Sequence, residues 1–384
     1  NRQGLVCRVF TNFLRCGVTI HDWHLAIHKH QIIMRNLKCL DGLNTIVPFR
    51  NDVYQKHRDN LSLKREDLLL LGDDVGMNTA FKPLMKHWER GDLLCINQVG
   101  HPYATRSHFD SIDIWHSAKA NGADERTGWI GRMMDTAGIE DPGRALQLDG
   151  QLSLALRGSL FKGMAVNRLS DLRSLAKLNI YPDEGASLYD NDALEHHIMK
   201  HMEAVVSEAK ALQKQYRPFR ENSDYPANPF SLKLKQIGDG ILSELPTSVY
   251  FAELGGFDTH VNQAKRQEKL LDLLATSLDR FIEVLRSAGK WDNTMILVYS
   301  EFGRRVAQNG SAGTDHGKGS NAFILSGGLQ RHGMYNRLTD LVNLDEGDIP
   351  VEIDFRRMYH SAQAEWFGIP LAQNEAHPPL GIFG

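Results

Sequence analysis

The feature that most constrains this chain is a set of short, continuously apolar segments that run directly into glycine or into acidic and polar residues. Leu93–Val99 (LLCINQV) ends at Gly100, Ser248–Leu254 (SVYFAEL) at Gly255-Gly256, and Thr294–Tyr299 (TMILVY) at Ser300-Glu301. Ala322–Leu325 is a fourth, and Gln31–Leu37 reads as a short strand ahead of Asp41. Runs without polar alternation belong to strands covered on both faces. Between them lie helical patterns. Gln263–Ala288 is the clearest, with Leu270, Leu274, Leu278, Phe281 and Leu285 in one stripe and Gly289 as its C-cap. Glu195–Tyr216 and Asp354–Phe367 are two more, the latter stopped by Gly368 and Pro370. Strands alternating with amphipathic helices predict an α/β fold, with a mostly parallel central sheet and helices on both faces.

In such a sheet, ligands bind outside the carboxyl ends of the strands, so the residues just after each strand carry the information. The second strand runs into GGFDTH, which presents Asp258 and His260. The third runs into SEFGR, which presents Glu301 and Arg304. The glycine-rich GTDHGKG then presents Asp315 and His316 ahead of the fourth strand. Each feature alone reads equally as a turn. Together, carboxylates and imidazoles gathered at strand ends form a donor set for a divalent cation, without which the like charges repel. After Leu93–Val99 comes HPYATRSHFD, with Thr105 and Ser107 at the start of a helix carrying Phe109, Ile112 and Trp115. Ser107 to Asp110 has the form of a capping box. The same placement suits a hydroxyl nucleophile beside a metal, with His108 as acid or base and Arg106 or Arg304 binding anionic oxygens.

Composition narrows the function. The formal net charge is −3, with 42% hydrophobic and 24% charged residues, which gives no basic footprint for nucleic acid. No apolar stretch is long enough for a membrane-spanning helix. The cysteines are Cys7, Cys16, Cys39 and Cys95, with no C-x-x-C pair, which argues against a cysteine-based zinc site. His21, His24 and His28 would share a helix face at metal-ligand spacing, though a solvated helix has the same pattern. The expected organisation is a poorly defined segment over 1–38 and one domain over 39–384, with insertions at about 140–240. The chain begins at Asn1, which fits a processed or incomplete start.

Taken in order, LDGLNTIVPF, GHPYATRSHFD, GGFDTHVNQ, SEFGRRVAQNG and GTDHGKGS resemble the DUF1501 family, from about residue 39 to 384. That family is grouped with the alkaline phosphatase and sulfatase superfamily. The resemblance implies an alkaline-phosphatase-like fold and a site for one or two divalent ions, zinc first, with manganese, calcium or magnesium as alternatives. It implies Asp41, Asp258, His260, Glu301, Asp315 and His316 as ligands and a nucleophile at Ser107, with Thr105 second. Two departures stand out. Ser300-Glu301 occupies the place of the superfamily's Asp-His, and RNLKCL, residues 35–40, lacks the family's glycines before Asp41. Export to the periplasm or cell exterior is implied by the family's frequent twin-arginine signals. The expectation is therefore a metal-dependent hydrolase of small-molecule or polysaccharide phosphate or sulfate esters. The alternative is a non-catalytic binding or surface-assembly protein stabilised by its metal, and an oligomer fits either.

Overall fold

The apolar runs form strands, and two separate cores cover them. The structure, a computed structural model, describes residues 31–178 and 193–384, except Lys38, Ala104, Asn121, Ala123, Asp124, Thr339, Asp340, Asn374 and Glu375. The N-terminal histidines, Cys7 and Cys16 lie outside the described residues. The first strands are β1 (Gln31–Leu37), β2 (Ile46–Val47), β3 (Leu68–Leu70), β4 (Gly76–Asn78), β5 (Leu93–Gly100), β6 (Ala145–Gln147) and β7 (Met164–Ala165). The rest are β8 (Val249–Leu254), β9 (Thr294–Tyr299), β10 (Arg304–Gln308), β11 (Thr314–His316), β12 (Ser320–Ser326), β13 (Gly333–Met334) and β14 (Ile353–Asp354). The helices that matter here are α1 (Met85–Glu89), α2 (His108–Ser117), α3 (Ala193–Gln215), α4 (Pro229–Leu242), α5 (Gln263–Ser287) and α6 (Arg356–His360).

The main sheet runs β13-β5-β12-β9-β1-β8-β6-β7, with β14 also paired to β5. It is mixed. β1 lies parallel between β8 and β9, but β12 is antiparallel to both of its neighbours. The all-apolar pattern of β12 gives burial, not direction. A parallel return needs a crossover of a dozen or more residues, usually a helix. Here residues 300–319 instead fold into the β10–β11 hairpin, so the chain comes back directly beside β9.

Side chains alternate between the two cores, which explains the continuous apolar runs. Val249 and Phe251 enter one core with Met295, Leu297 and Tyr299; Tyr250 and Ala252 enter the other with Ile296 and Val298. On the second face α5 lays Leu274, Leu278, Phe281 and Leu285 against the sheet, as its stripe predicts, beside Leu234, Ile237 and Ile241 of α4. On the first, Trp115 of α2 stacks on Tyr299 with ring centroids 4.8 Å apart. The expected C-terminal helix is split, running as α6 and then as a π-helical segment, Ser361–Trp366.

Register brings the functional loops to one edge. Leu37 is opposite Leu254 and Asn36 opposite Tyr299, so β1, β8 and β9 end level with one another. Val99 pairs with Ser320, which places the end of β5 and the start of β12 at that same edge.

A second polar cluster ties α1 to α5, away from that edge. His87 is fully buried, with Nε2 2.8 Å from Asp279 Oδ1 and Nδ1 3.8 Å from Asp92 Oδ2. Burial alone would lower its pKa; the hydrogen bond to Asp279 and the neighbouring carboxylates of Asp92 and Glu283 outweigh that and raise it. Its stabilisation is therefore fully present below the unfolded value of about 6.5 and is lost as pH rises through the higher folded value. In denaturant titrations from pH 6 to 9, His87→Gln should remove this alkaline loss of stability, and an unchanged slope would contradict the assignment.

Candidate metal centre

The turn after β1 carries Cys39, Leu40 and Asp41, all buried. Asp41 caps the helical turn Gly42–Thr45, its Oδ1 accepting from Leu43 N at 3.1 Å. Arg58 grips the same carboxylate with two N–H groups, at 2.6 Å and 3.1 Å, and Gln263 Nε2 donates to Oδ2 at 2.5 Å. A buried carboxylate is stable only when so compensated. Both of its oxygens are thus committed, and the expectation of Asp41 as a metal ligand gives way to a capping and ion-pairing role.

The other segments bring three imidazoles and one carboxylate together. Asp258 and His260 follow β8, His316 ends β11, and His108 opens α2. His316 Nε2, His260 Nε2 and Asp258 Oδ1 form a triangle with edges of 3.0, 2.9 and 3.1 Å. His108 Nε2 stands 3.5 Å from Asp258 Oδ2. Each ring is held from outside through Nδ1: His108 by Glu301 Oε1 at 2.8 Å, His316 by the Arg106 carbonyl at 2.9 Å, and His260 by Asp315 Oδ1 at 3.3 Å. Ionised carboxylates and carbonyls can only accept, so Nδ1 of each ring donates outward, and with a cation in place each Nε2 would be free to turn a lone pair inward. An outer acceptor that fixes ring and tautomer is the usual support of a metal-bound histidine.

This arrangement redistributes the expected ligands. Asp258, His260 and His316 come together as predicted. Glu301 and Asp315 sit behind the imidazoles as orienting acceptors rather than beside Asp258. His108, expected as an acid or base, joins the inward-facing donors. Ser107 is the N-cap of α2, its Oγ accepting from Asp110 N at 3.4 Å. Thr105 Oγ1 lies 3.4 Å from Ser111 Oγ, inside the same turn. Arg304 is buried and donates to Asp258 Oδ1 at 2.6 Å. Arg106 instead pairs with Asp348 at 2.7 Å.

Cys39 is the residue that the sequence reading missed. Its Sγ lies 3.5 Å from His108 Nε2, and the donor atoms of Cys39, His108, Asp258 and His316 all fall within 4.8 Å of one another. The missing C-x-x-C pair was a poor guide, because a site assembled from four chain segments needs only one cysteine. The available signal was position: Cys39 lies just past the end of β1, at the edge where the other donors gather.

Electrostatics match the geometry. Burial pushes the Asp258 carboxyl up, but the adjoining His316 imidazole and the Arg304 charge hold it down at about 2. The Glu301 hydrogen bond raises His108. Asn309 and His260 keep Asp315 low. Burial, reinforced by Glu301, pushes the Cys39 thiol well up. Bonds of about 2.0–2.1 Å at the tetrahedral angle would set nitrogen and oxygen ligands about 3.3 Å apart. The observed 2.9–3.5 Å separations bracket that value, so the donor set fits a Zn²⁺-like ion.

Residues 96–374 match a family described as "Protein of unknown function (DUF1501)". The chain belongs to that family. The match spans His108, Asp258, His260, Glu301, Asp315 and His316, whereas Cys39 and Asp41 precede it. No curated protein matches the chain. Among solved structures, it is similar to the phosphonate monoester hydrolase SpPMH from Silicibacter pomeroyi (13% identity, TM-score 0.40, covering 92% of this chain and 76% of that one). It is also similar to a putative sulfatase from Bacteroides thetaiotaomicron VPI-5482 (10%, TM-score 0.41, 92% and 74%). A third is the PsFucS1 sulfatase from Pseudoalteromonas sp. (11%, TM-score 0.40, 94% and 74%).

Glycine permits the β10–β11 hairpin to press on the His260 loop. A Cβ on Gly313 would stand 2.2 Å from the His260 carbonyl oxygen, whereas one on Gly310, in the same loop, would meet nothing within 4 Å. Gly313→Ala should therefore cost about 1–3 kcal/mol of stability, and Gly310→Ala should stay near neutral. Equal melting temperatures for the two variants would refute this packing account.

Proposed function

We propose that this chain is a metal-dependent hydrolase of phosphate or sulfate esters with an alkaline-phosphatase-like fold. The observation that carries the reading is the convergence of three imidazole Nε2 atoms on Asp258, each imidazole being locked from behind by a protein acceptor. His260, His316, His108 and Asp258 would hold the ion. A divalent ion there supplies Lewis-acid stabilisation of charge building on a phosphoryl or sulfuryl oxygen. Glu301, Asp315 and the Arg106 carbonyl keep the rings aimed, and Arg304 keeps Asp258 ionised and in place.

Exposure favours catalysis over a purely structural metal. The Asp258 and His260 side chains are 42% and 40% exposed, so one side of the donor set opens to solvent. A structural site closes its ligand shell, whereas a catalytic one leaves a position for water or substrate. With Ser107 engaged as the cap of α2, this reading gives the attack on the ester to water.

The test is a panel of phosphate and sulfate mono- and diesters, assayed with the zinc-loaded chain. Asp258→Ala should lower turnover by roughly two orders of magnitude or more, as loss of several kcal/mol of electrostatic stabilisation implies. Ser107→Ala should cost only the cap, about 1 kcal/mol of stability, with turnover within a few-fold of the parent. Loss of all turnover in Ser107→Ala, with metal retained, would restore that serine as the nucleophile. No turnover on any ester by the zinc-loaded parent would favour the structural reading.

A further inference from the structure

Cys39 occupies a place that neither the helix cap nor the core requires. It is fully buried at the carboxyl end of β1 and takes a left-handed conformation, φ 63°, in the turn before Asp41. Its backbone is pinned on both sides. The Cys39 N–H donates to Glu301 Oε2, and its carbonyl accepts from Arg304 Nε, each at 3.4 Å. The side chain is thereby aimed at the inward donors rather than into the apolar layers.

The sulfur sits where a ligand would. Sγ is 3.5 Å from His108 Nε2. Zn–S and Zn–N bonds of about 2.3 and 2.0–2.1 Å at the tetrahedral angle would separate sulfur and nitrogen by about 3.6 Å. His108 Nε2 is in turn 3.5 Å from Asp258 Oδ2, and His316 Nε2 is 3.1 Å from Asp258 Oδ1. Sulfur, two imidazole nitrogens and a carboxylate thus surround one point. The independent sign that this point takes a cation is the outward anchoring of Nδ1 in both histidines, by Glu301 and by the Arg106 carbonyl. With Nδ1 so engaged, Nε2 of each ring is free to offer its lone pair to a cation.

We infer that Cys39 binds the metal as a thiolate, making this a sulfur-containing, zinc-type centre rather than an all-oxygen magnesium or calcium site. The inference rests on the metal-centre reading above and adds a ligand to it. A thiolate beside Asp258 and Glu301 is tolerable only against a cation, and a soft sulfur donor selects Zn²⁺ or Co²⁺ over Mg²⁺ and Ca²⁺, which prefer oxygen. His260, which touches both His316 and Asp258, lies on the solvent side of this set, where the coordination sphere opens.

Cobalt substitution reads the sulfur directly. The full chain, with Cys7→Ser and Cys16→Ser to remove the other N-terminal thiols, is stripped of metal and titrated with Co²⁺. Thiolate ligation should give an intense near-ultraviolet sulfur-to-cobalt charge-transfer band together with visible d–d bands. Cys39→Ser should lose the near-ultraviolet band, keep visible bands, and bind Zn²⁺ at least about 10-fold more weakly, the lower end of what even supporting residues contribute. Cys39→Gly provides the second variant, because glycine accepts the positive φ without strain; circular dichroism and melting confirm that it folds. A Co²⁺-loaded parent with visible bands but no charge transfer overturns the role of Cys39 and leaves the metal centre standing. A band that survives in both Cys39 variants does the same. Failure of the parent to bind Co²⁺ and Zn²⁺ at all removes the metal centre and this inference with it.

Discussion

Arg304 carries its guanidinium fully buried at the edge where the strands end, and the candidate site is built around it. Its N–H groups reach the carbonyls of Cys39 at 3.4 Å, Phe257 at 3.1 Å and Thr314 at 2.5 Å, and the carboxylate of Asp258 at 2.6 Å. Those four acceptors come from the turns after β1 and β8 and from the start of β11. One side chain therefore ties together three loops that share no backbone ladder. Burying a guanidinium is costly unless its fork is satisfied, and the fixed spread of its donors then dictates where the loops lie. The Asp258 carboxylate is placed by the same charge that keeps it ionised. A surface anion-binding arginine, the reading that the sequence invites, could not do this.

Around that strut the strands provide level and the glycines provide proximity. Parallel register brings the ends of β1, β8 and β9 to one height, and the antiparallel β12 starts where β5 ends. The β10–β11 hairpin then folds down on the His260 loop. It can do so because Gly313 meets the His260 carbonyl, and Gly303 meets the Gly319 carbonyl, at distances where any Cβ would collide. The hairpin that deprives β12 of a crossover helix is thus the element that delivers His316 and Asp315 to the imidazole cluster.

What could be read from the residues, and what could not, follows from the range of each interaction. Burial on both faces is a local property, so TMILVY and SVYFAEL announced themselves as strands, and the stripe of α5 announced a helix. The acidic and histidine residues after each strand were equally visible. Direction was not: the apolar content of β12 is the same whether it runs parallel or antiparallel, and only the hairpin that precedes it decides. Nor was the rank of each ligand visible. Glu301 and Asp315 have the chemistry of metal ligands, and only the positions of His108 and His260 in space turn them into supports. The pairing of Asp41 was not legible either, because its partner, Arg58, carries no motif. Ser107 was legible both ways, and the 3.4 Å contact with Asp110 N selects the cap.

The division of labour between inner and outer groups also explains why the donors come from segments so far apart in the chain. Cys39, His108, Asp258 and His316 span nearly 280 residues, so apart from Asp258 and His260 the donors are not neighbours in the unfolded chain. An ion held by all of them would require the sheet register, the Arg304 strut and the hairpin to form first, and its binding would add stability to the native state alone. Glu301 links the two halves of this scheme. One oxygen orients His108 and the other accepts from the backbone of Cys39, so a single buried carboxylate at the end of β9 sets both the imidazole and the thiol on the same side of Asp258. The Ser300-Glu301 pair has a geometric consequence here. Ser300 Oγ accepts from Leu40 N at 3.0 Å, which fixes the β1 turn, while Glu301 reaches back to the ring that faces it. The pair is thus a frame that holds the β1 turn and the His108 ring in fixed relation.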